Sequence, residues 1–156
     1  MSNPVLTPFV SSKQMLSSGL GTWQRLATFY ARFALGAAFL SAVAARFGLW
    51  GENTGPDSFK HFIEYTGEVN SFMPAFMVPF LAWAATVTET CLGIALVLGI
   101  GPRFVALAAA GLLALFGTAM AISFGIKSPL DYSVFSASAA ALLLSICQSR
   151  RQGGNL

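Results

Sequence analysis

The chain has 156 residues, of which 55% are hydrophobic and only 10% are charged, and its net charge is +3. Soluble domains carry about 25% charged residues, so a chain of this size and composition has too few polar residues to cover the surface of a water-soluble domain. A soluble enzyme, a disordered tail and a disulfide scaffold are poor interpretations, and the scattered Lys and Arg residues form no basic stripe for nucleic acid.

The chain opens with a polar segment followed by an apolar one. Residues 1–22 contain Ser, Pro and Gly without helical periodicity, and they predict a flexible tail. The run 26–47 is long enough to cross about 30 Å of hydrocarbon at 1.5 Å per residue. It contains Ala42-Val43-Ala44, which has the form of a signal-peptidase site. Arg32 interrupts the apolar run, so we favour a retained span, with a cleaved signal peptide as the alternative.

A polar connection, residues 50–74, follows the first span. Asp57 or Ser58 can cap a short helix over about 59–66, and Gly67 can end it. Its apolar face consists of Phe59, Phe62 and Ile63. This pattern predicts a helix that lies in the membrane interface or covers the bundle as a lid, with an ordinary loop helix as the alternative.

Three further apolar runs predict spans over 76–100, 104–126 and 130–147, joined by short turns with Gly and Pro. Small residues at four-residue spacing let helices approach closely in lipid. Such rows are Ala34–Ala38–Ala42, Ala106–Ala110–Ala114 and Ala137–Ala141. The predicted fold is an all-α membrane protein, a four-transmembrane-helix bundle over residues 23–150 with an interfacial or lid helix in its first outer loop. Residues 151–156 are predicted to form a polar C-terminal tail.

Basic residues border the predicted spans on one side. Lys13 and Arg25 precede the first span, Arg103 lies between the second and third, and 150–151 follow the fourth. The long loop carries mostly acids. By the positive-inside rule both termini are cytoplasmic and the long loop is outside. We therefore expect a multi-pass protein of the bacterial inner membrane.

Glu89 lies near the middle of the second span, where an ionisable group costs roughly 2.5–3.5 kcal/mol. Arg32 is its predicted partner. Arg46, at the end of the first span, is expected to reach the interface or to pair with Glu64 or Asp131. Two interpretations of Glu89 stay open: a carboxylate that accepts a proton or anchors a ligand, and a structural clasp.

A quinone or a similar apolar ligand would need apolar walls and one or two hydrogen-bonding groups at its head. The candidate residues for such a site are Glu89, Arg32, Arg46, Trp83 and Tyr132. For the two aromatic residues, a place in the interfacial aromatic belt is the alternative. With one histidine, two cysteines and no CxxC, we expect no metal site, no covalently bound cofactor and no catalytic residues.

Four runs occur in a fixed order along the chain: 35–42 (LGAAFLSA), 45–51 (ARFGLWG), 89–99 (ETCLGIALVLG) before a basic turn, and 125–130 (GIKSPL). In this order they resemble the DoxX-like family of small four-helix integral membrane proteins over residues 26–148. The family is named after a membrane subunit linked to a quinone-reducing oxidoreductase. The resemblance therefore implies an inner-membrane protein that is accessory to redox partners.

Small size, packing rows and the lack of cofactor ligands favour a non-catalytic accessory or anchor subunit of a membrane oxidoreductase complex, for which a quinone link is one option. The expected partners are the lipid bilayer and either another membrane protein or a second copy of the chain, with no nucleic acid. One alternative is a quinone- or lipid-binding membrane protein with a site near Glu89. A further alternative is a small proton-coupled carrier, which a single intramembrane acid and the lack of an inverted repeat disfavour.

Overall fold

The computed structural model describes residues 12–51 and 54–153, and the side chains of 21–51 and 54–149. These residues form six α-helices and one 3-10 turn, and no strand occurs among them. The helices are α1 (Ser12–Arg46), α2 (Ser58–Val69), α3 (Val78–Leu98), α4 (Pro102–Phe124), α5 (Lys127–Asp131) and α6 (Val134–Gly153), and the 3-10 turn is Ala75–Met77. The predicted all-α class is confirmed.

Among the described residues, three segments are long and apolar enough to cross a membrane, namely Gly21–Arg46, Ala75–Leu98 and Pro102–Phe124. The predicted count of four spans is not confirmed, because the apolar part of α6, Val134–Ser149, is shorter. The difference arises at the start of the predicted fourth span. There α5 ends, Ser133 adopts a positive φ of 55°, and a new helix has to begin after it.

Two predicted helix limits also differ from the structure. α1 begins at Ser12, within the segment for which a flexible tail is predicted, because extending an existing helix costs far less than nucleating one. The first eleven residues of that tail and residues 154–156 lie outside the described residues. α2 continues through Gly67 to Val69, where Asn70 donates both its backbone N–H and its side-chain amide to the carbonyl of Thr66.

The helices pack as a bundle in which α1 lies against α3 and α6, and α4 lies mainly against α6. The core is small and apolar, and its buried members are Leu35, Phe39, Leu96, Ala106, Ala109, Ala110, Ala141 and Leu144. The predicted small-residue row on α4 is therefore partly in the core. The row Ala34–Ala38–Ala42 on α1 is exposed instead, since α1 packs through the face that carries Leu35, Gly36 and Phe39.

α1 and α3 cross where two glycines meet. A Cβ atom on Gly36 would lie 2.7 Å from Val97 Cγ2 and 3.0 Å from the Gly93 carbonyl oxygen. A Cβ atom on Gly93 would lie 2.9 Å from Leu40 Cγ and 3.2 Å from the Gly36 carbonyl oxygen. The two backbones thus approach as closely as small residues permit in a membrane helix pair.

α2 covers one end of the bundle, which we call the α2 end. Its Phe59 ring lies 5.7 Å from the Phe47 ring at the end of α1 and 4.5 Å from the Trp83 ring on α3. On α4, the Ser123 hydroxyl donates to the carbonyl of Val69 over 2.6 Å. The lid position predicted for this helix is therefore the one observed.

Candidate functional site

Arg46 and Glu89 form an ion pair inside the α2 end of the bundle. Arg46 Nη2 donates to both carboxylate oxygens of Glu89 over 2.7 Å, and Arg46 Nη1 donates to Thr86 Oγ1 over 3.1 Å. The side chains are only 11% and 3% exposed. Both oxygens of the carboxylate are therefore engaged by one guanidinium group, as in strong charge-assisted pairs.

The direction of helical side chains explains this pairing. A helical side chain leans toward the N-terminus of its own helix. Since α1 runs toward the α2 end, the guanidinium of Arg46 leans back toward the middle of the bundle. α3 runs the opposite way, so the carboxylate of Glu89 leans toward the α2 end. The two groups approach each other from different depths.

The predicted pair between Arg32 and Glu89 is wrong. Arg32 leans away from the middle of the bundle, and its Nε and Nη2 donate to the carbonyls of Leu96 and Val97 over 3.0 and 3.3 Å. These carbonyls belong to the last turn of α3, where no helical N–H remains to donate to them and where the helix end carries a partial negative charge. Arg32 thus caps α3 at the end opposite to α2, directly against Gly99.

Arg46 is held on its other side by the lid. Its guanidinium carbon lies 3.9 Å from the centre of the Phe62 ring of α2, a cation–π distance. The predicted partners of Arg46 are engaged elsewhere: Glu64 with His61 over 3.4 Å, and Asp131 with Lys127. The expectation that Arg46 pairs with either acid, or extends to the interface, is wrong.

The other candidate residues lie outside this ion pair. Trp83 is 51% exposed and contacts Phe59. Tyr132 is 73% exposed and follows α5. It lies near Tyr65 of α2, and burial, Tyr132 and Glu68 together raise the pKa of the Tyr65 phenol above its usual value. Of the five candidate residues, only Glu89 and Arg46 come together.

A cavity of about 280 Å³ lies beside the ion pair, between α2, α3 and α4. Arg46 lines one part of it, and most of the remaining wall is apolar. The lining from α2 includes Phe62 and Thr66, that from α3 includes Ala85 and Thr88, and that from α4 includes Leu112 and Phe116. Its size is close to the lower end of small-molecule pockets, which begin at about 300 Å³.

Sequence reasoning missed three polar or aromatic members of this region. Thr86 lies one helical turn before Glu89 on the same face of α3, so i, i+3 spacing could have identified it. Phe62 lies on the apolar face that the sequence assigned to the lid helix, but its contact with Arg46 depends on where that helix docks. Thr88 carries no pattern that distinguishes it from an ordinary lipid-facing threonine.

Within the described residues no group of three or more His, Cys, Asp or Glu side chains is placed to hold a metal ion. Cys91 and Cys147 are both free thiols. The described residues bring together an ion pair, neighbouring hydroxyls and an apolar cavity at this site.

A family model described as methylamine utilisation protein MauE matches residues 23–131, which is more than half of the chain. The chain belongs to the MauE family. The match includes the ion pair, the lid helix and the whole cavity, whereas α6 lies beyond it. No curated protein and no solved structure matches the chain.

The MauE match overturns the resemblance to DoxX-like proteins, which is wrong. The runs that suggested it are short, apolar and rich in small residues, and helix packing in a membrane selects such runs in many membrane-protein families. Gly93, in the run after Glu89, is explained by its close approach to Gly36. The redox and quinone associations drawn from that resemblance lose their support with it.

Proposed function

We propose that this chain is a non-catalytic accessory protein of a membrane-bound methylamine-utilisation system, and that it holds or stabilises a partner within the bilayer. The observation that carries the proposal is the MauE family match over residues 23–131. The three apolar helices that are long enough to cross a membrane support a bilayer location.

The placement of the charged groups favours an accessory role over a proton-coupled carrier. A carrier needs an intramembrane titratable group that meets water or substrate during its cycle. Glu89 is 2% exposed, and both of its oxygens accept hydrogen bonds from Arg46. Arg32 donates hydrogen bonds to two backbone carbonyls of α3. These contacts support the structural-clasp interpretation of Glu89.

We also propose the orientation given by the charge pattern, with both termini in the cytoplasm of a bacterium, the α2 end outside and α6 as a fourth span. Arg103 lies at the end opposite to α2, and α2 carries the exposed acids Glu64 and Glu68. In a chain without Cys91 and Cys147, a membrane-impermeant thiol reagent should label Lys60→Cys in intact cells but not Arg103→Cys. Labelling of Arg103→Cys alone would show that the orientation is the opposite of the one proposed.

Growth tests the accessory role. In the source organism, deletion of the gene should abolish growth on methylamine and leave growth on ammonium and succinate unchanged, and the intact gene should restore it. A tagged chain extracted in mild detergent should bring one further membrane-associated polypeptide with it. Normal growth of the deletion strain on methylamine contradicts the proposal, and uptake of methylamine by proteoliposomes of the pure chain would favour the carrier.

A quinone- or lipid-binding protein with a site near Glu89 is the second candidate. The observation that favours it is the cavity beside the ion pair, which Arg46 lines. In this case the Glu89→Gln substitution should change ligand affinity, because it alters the charge beside the cavity. Unchanged affinity in a folded variant would place the ligand elsewhere.

A further inference from the structure

α3 and α4 follow each other in the chain but pack only sparsely, whereas α1 with α3 and α4 with α6 pack closely. The gap between them is the cavity. Its walls run from Leu81 to Thr88 on α3 and from Leu112 to Met120 on α4, which is roughly 10–12 Å along the helix axes at 1.5 Å per residue. α2 covers the gap at one end only.

The cavity opens sideways. Thr88 and Leu115 line it and are exposed, and both lie near the middle of their candidate membrane spans. A molecule dissolved in the hydrocarbon layer can therefore reach the cavity without passing through water. The depth and the mostly apolar wall suit a hydrocarbon chain.

Arg46 and Thr88 line the cavity, and each has a hydrogen-bond donor without an acceptor among the described residues. Arg46 uses both N–H bonds of Nη2 for Glu89 and one of Nη1 for Thr86, which leaves the second Nη1–H and the Nε–H. Thr86 and Thr90 donate to the carbonyl four residues before them, but Thr88 makes no such bond. An unpaired hydroxyl in hydrocarbon is costly, so a bound acceptor would be stabilising there.

The charge of the site determines the kind of acceptor. The guanidinium of Arg46 is already balanced by the carboxylate of Glu89, 2.7 Å away. An anionic head group would meet that carboxylate in a medium of low dielectric constant, and a cationic one would meet Arg46. A neutral carbonyl oxygen fits the remaining donors without either repulsion.

From these observations we infer that the cavity between α2, α3 and α4 binds a membrane-soluble molecule that carries a neutral carbonyl head on an apolar chain, with the head at Arg46 and Thr88. An ester lipid and an isoprenoid quinone share this chemistry. The inference gives the second candidate function its ligand class and does not depend on a role in methylamine utilisation.

Thermal unfolding of the full chain in detergent tests the inference with three probes: monooleoylglycerol, decylubiquinone and oleate. A ligand that binds only the folded state raises the unfolding temperature. We expect at least one of the two neutral probes to raise it and oleate, the anionic counterpart, to have a much smaller effect. The neutral probe with the larger effect identifies the source of the carbonyl.

Substitutions in and outside the cavity test whether the probe binds there. Ala119→Leu fills the cavity from α4 and should abolish the shift, whereas Ala108→Leu makes the same change at an exposed position of α4 outside the lining and should retain it. Thr88→Val removes one neutral donor at nearly constant shape and should weaken binding by about 2- to 10-fold. No shift with either neutral probe, an equal shift with oleate, or a full shift in folded Ala119→Leu would overturn the inference.

Discussion

Arg46 ends α1 and Glu89 lies within α3, 43 residues further along the chain, yet one nitrogen of Arg46 donates to both carboxylate oxygens of Glu89. The pair links the two helices on the α2 side of their crossing at Gly36 and Gly93. Phe62 covers the guanidinium from the lid. The ion pair thus joins α1, α2 and α3, and each side chain has its charge compensated only while the other is present.

Removal of either partner should destabilise the protein strongly. Glu89→Ala or Arg46→Ala leaves one buried charge unpaired, and we expect each to lower the free energy of unfolding by about 3–5 kcal/mol. The double variant should lose clearly less than the sum of the single losses. Unfolding by SDS titration in mixed micelles measures all three.

The exposed pair of His61 and Glu64 on α2 provides the control for this cycle. Both side chains are more than half exposed, so Glu64→Ala should change stability by less than about 1 kcal/mol. If the losses at Arg46 and Glu89 are additive, the ion pair contributes nothing as a pair. Should Glu89→Ala fail to fold, Glu89→Gln provides the same comparison with a milder change.

Arg32 should act on α3 and independently of Glu89. Arg32→Met removes two hydrogen bonds from a charged donor to the last carbonyls of α3, and we expect a loss of about 1.5–3 kcal/mol. The exposed Arg25→Met is the matched control on the same helix. In a double-mutant cycle with Glu89→Gln the two losses of stability should add. A coupling energy above about 1 kcal/mol would indicate a direct contact between Arg32 and Glu89 and would contradict the structure.

The sequence predicted the all-α class and the three long apolar segments, because hydropathy and turn residues are local properties of the chain. Residue counting also placed Glu89 at a membrane depth where it needs a partner. It did not identify that partner, since counting gives the depth of a Cα atom but not the direction in which the side chain leans. The cavity was beyond prediction, because it results from sparse packing of α3 against α4, and this depends on how α1 packs with α3 and α6 with α4.

The crossing of α1 and α3 should not tolerate a methyl group. Gly36→Ala and Gly93→Ala each place a Cβ atom within 3.0–3.2 Å of a backbone oxygen of the other helix, which cannot rotate away, so we expect a loss of about 1–3 kcal/mol. Gly111→Ala on α4 meets nothing within 4 Å and should be neutral or slightly stabilising. Equal stability of all three variants would mean that the helices do not cross at these glycines.

Gln148 on α6 is 6% exposed, and neither its Nε2 nor its Oε1 has a hydrogen-bond partner among the described residues. A buried amide without partners retains its full desolvation penalty of about 1–3 kcal/mol. We therefore expect Gln148→Leu to keep or raise the free energy of unfolding, measured by the same SDS titration. Gln148→Glu, which has nearly the same shape but can carry a charge, should lower it at neutral pH. A marked loss of stability in Gln148→Leu would contradict the expectation and would mean that the amide binds a group within the folded protein, such as a buried water molecule.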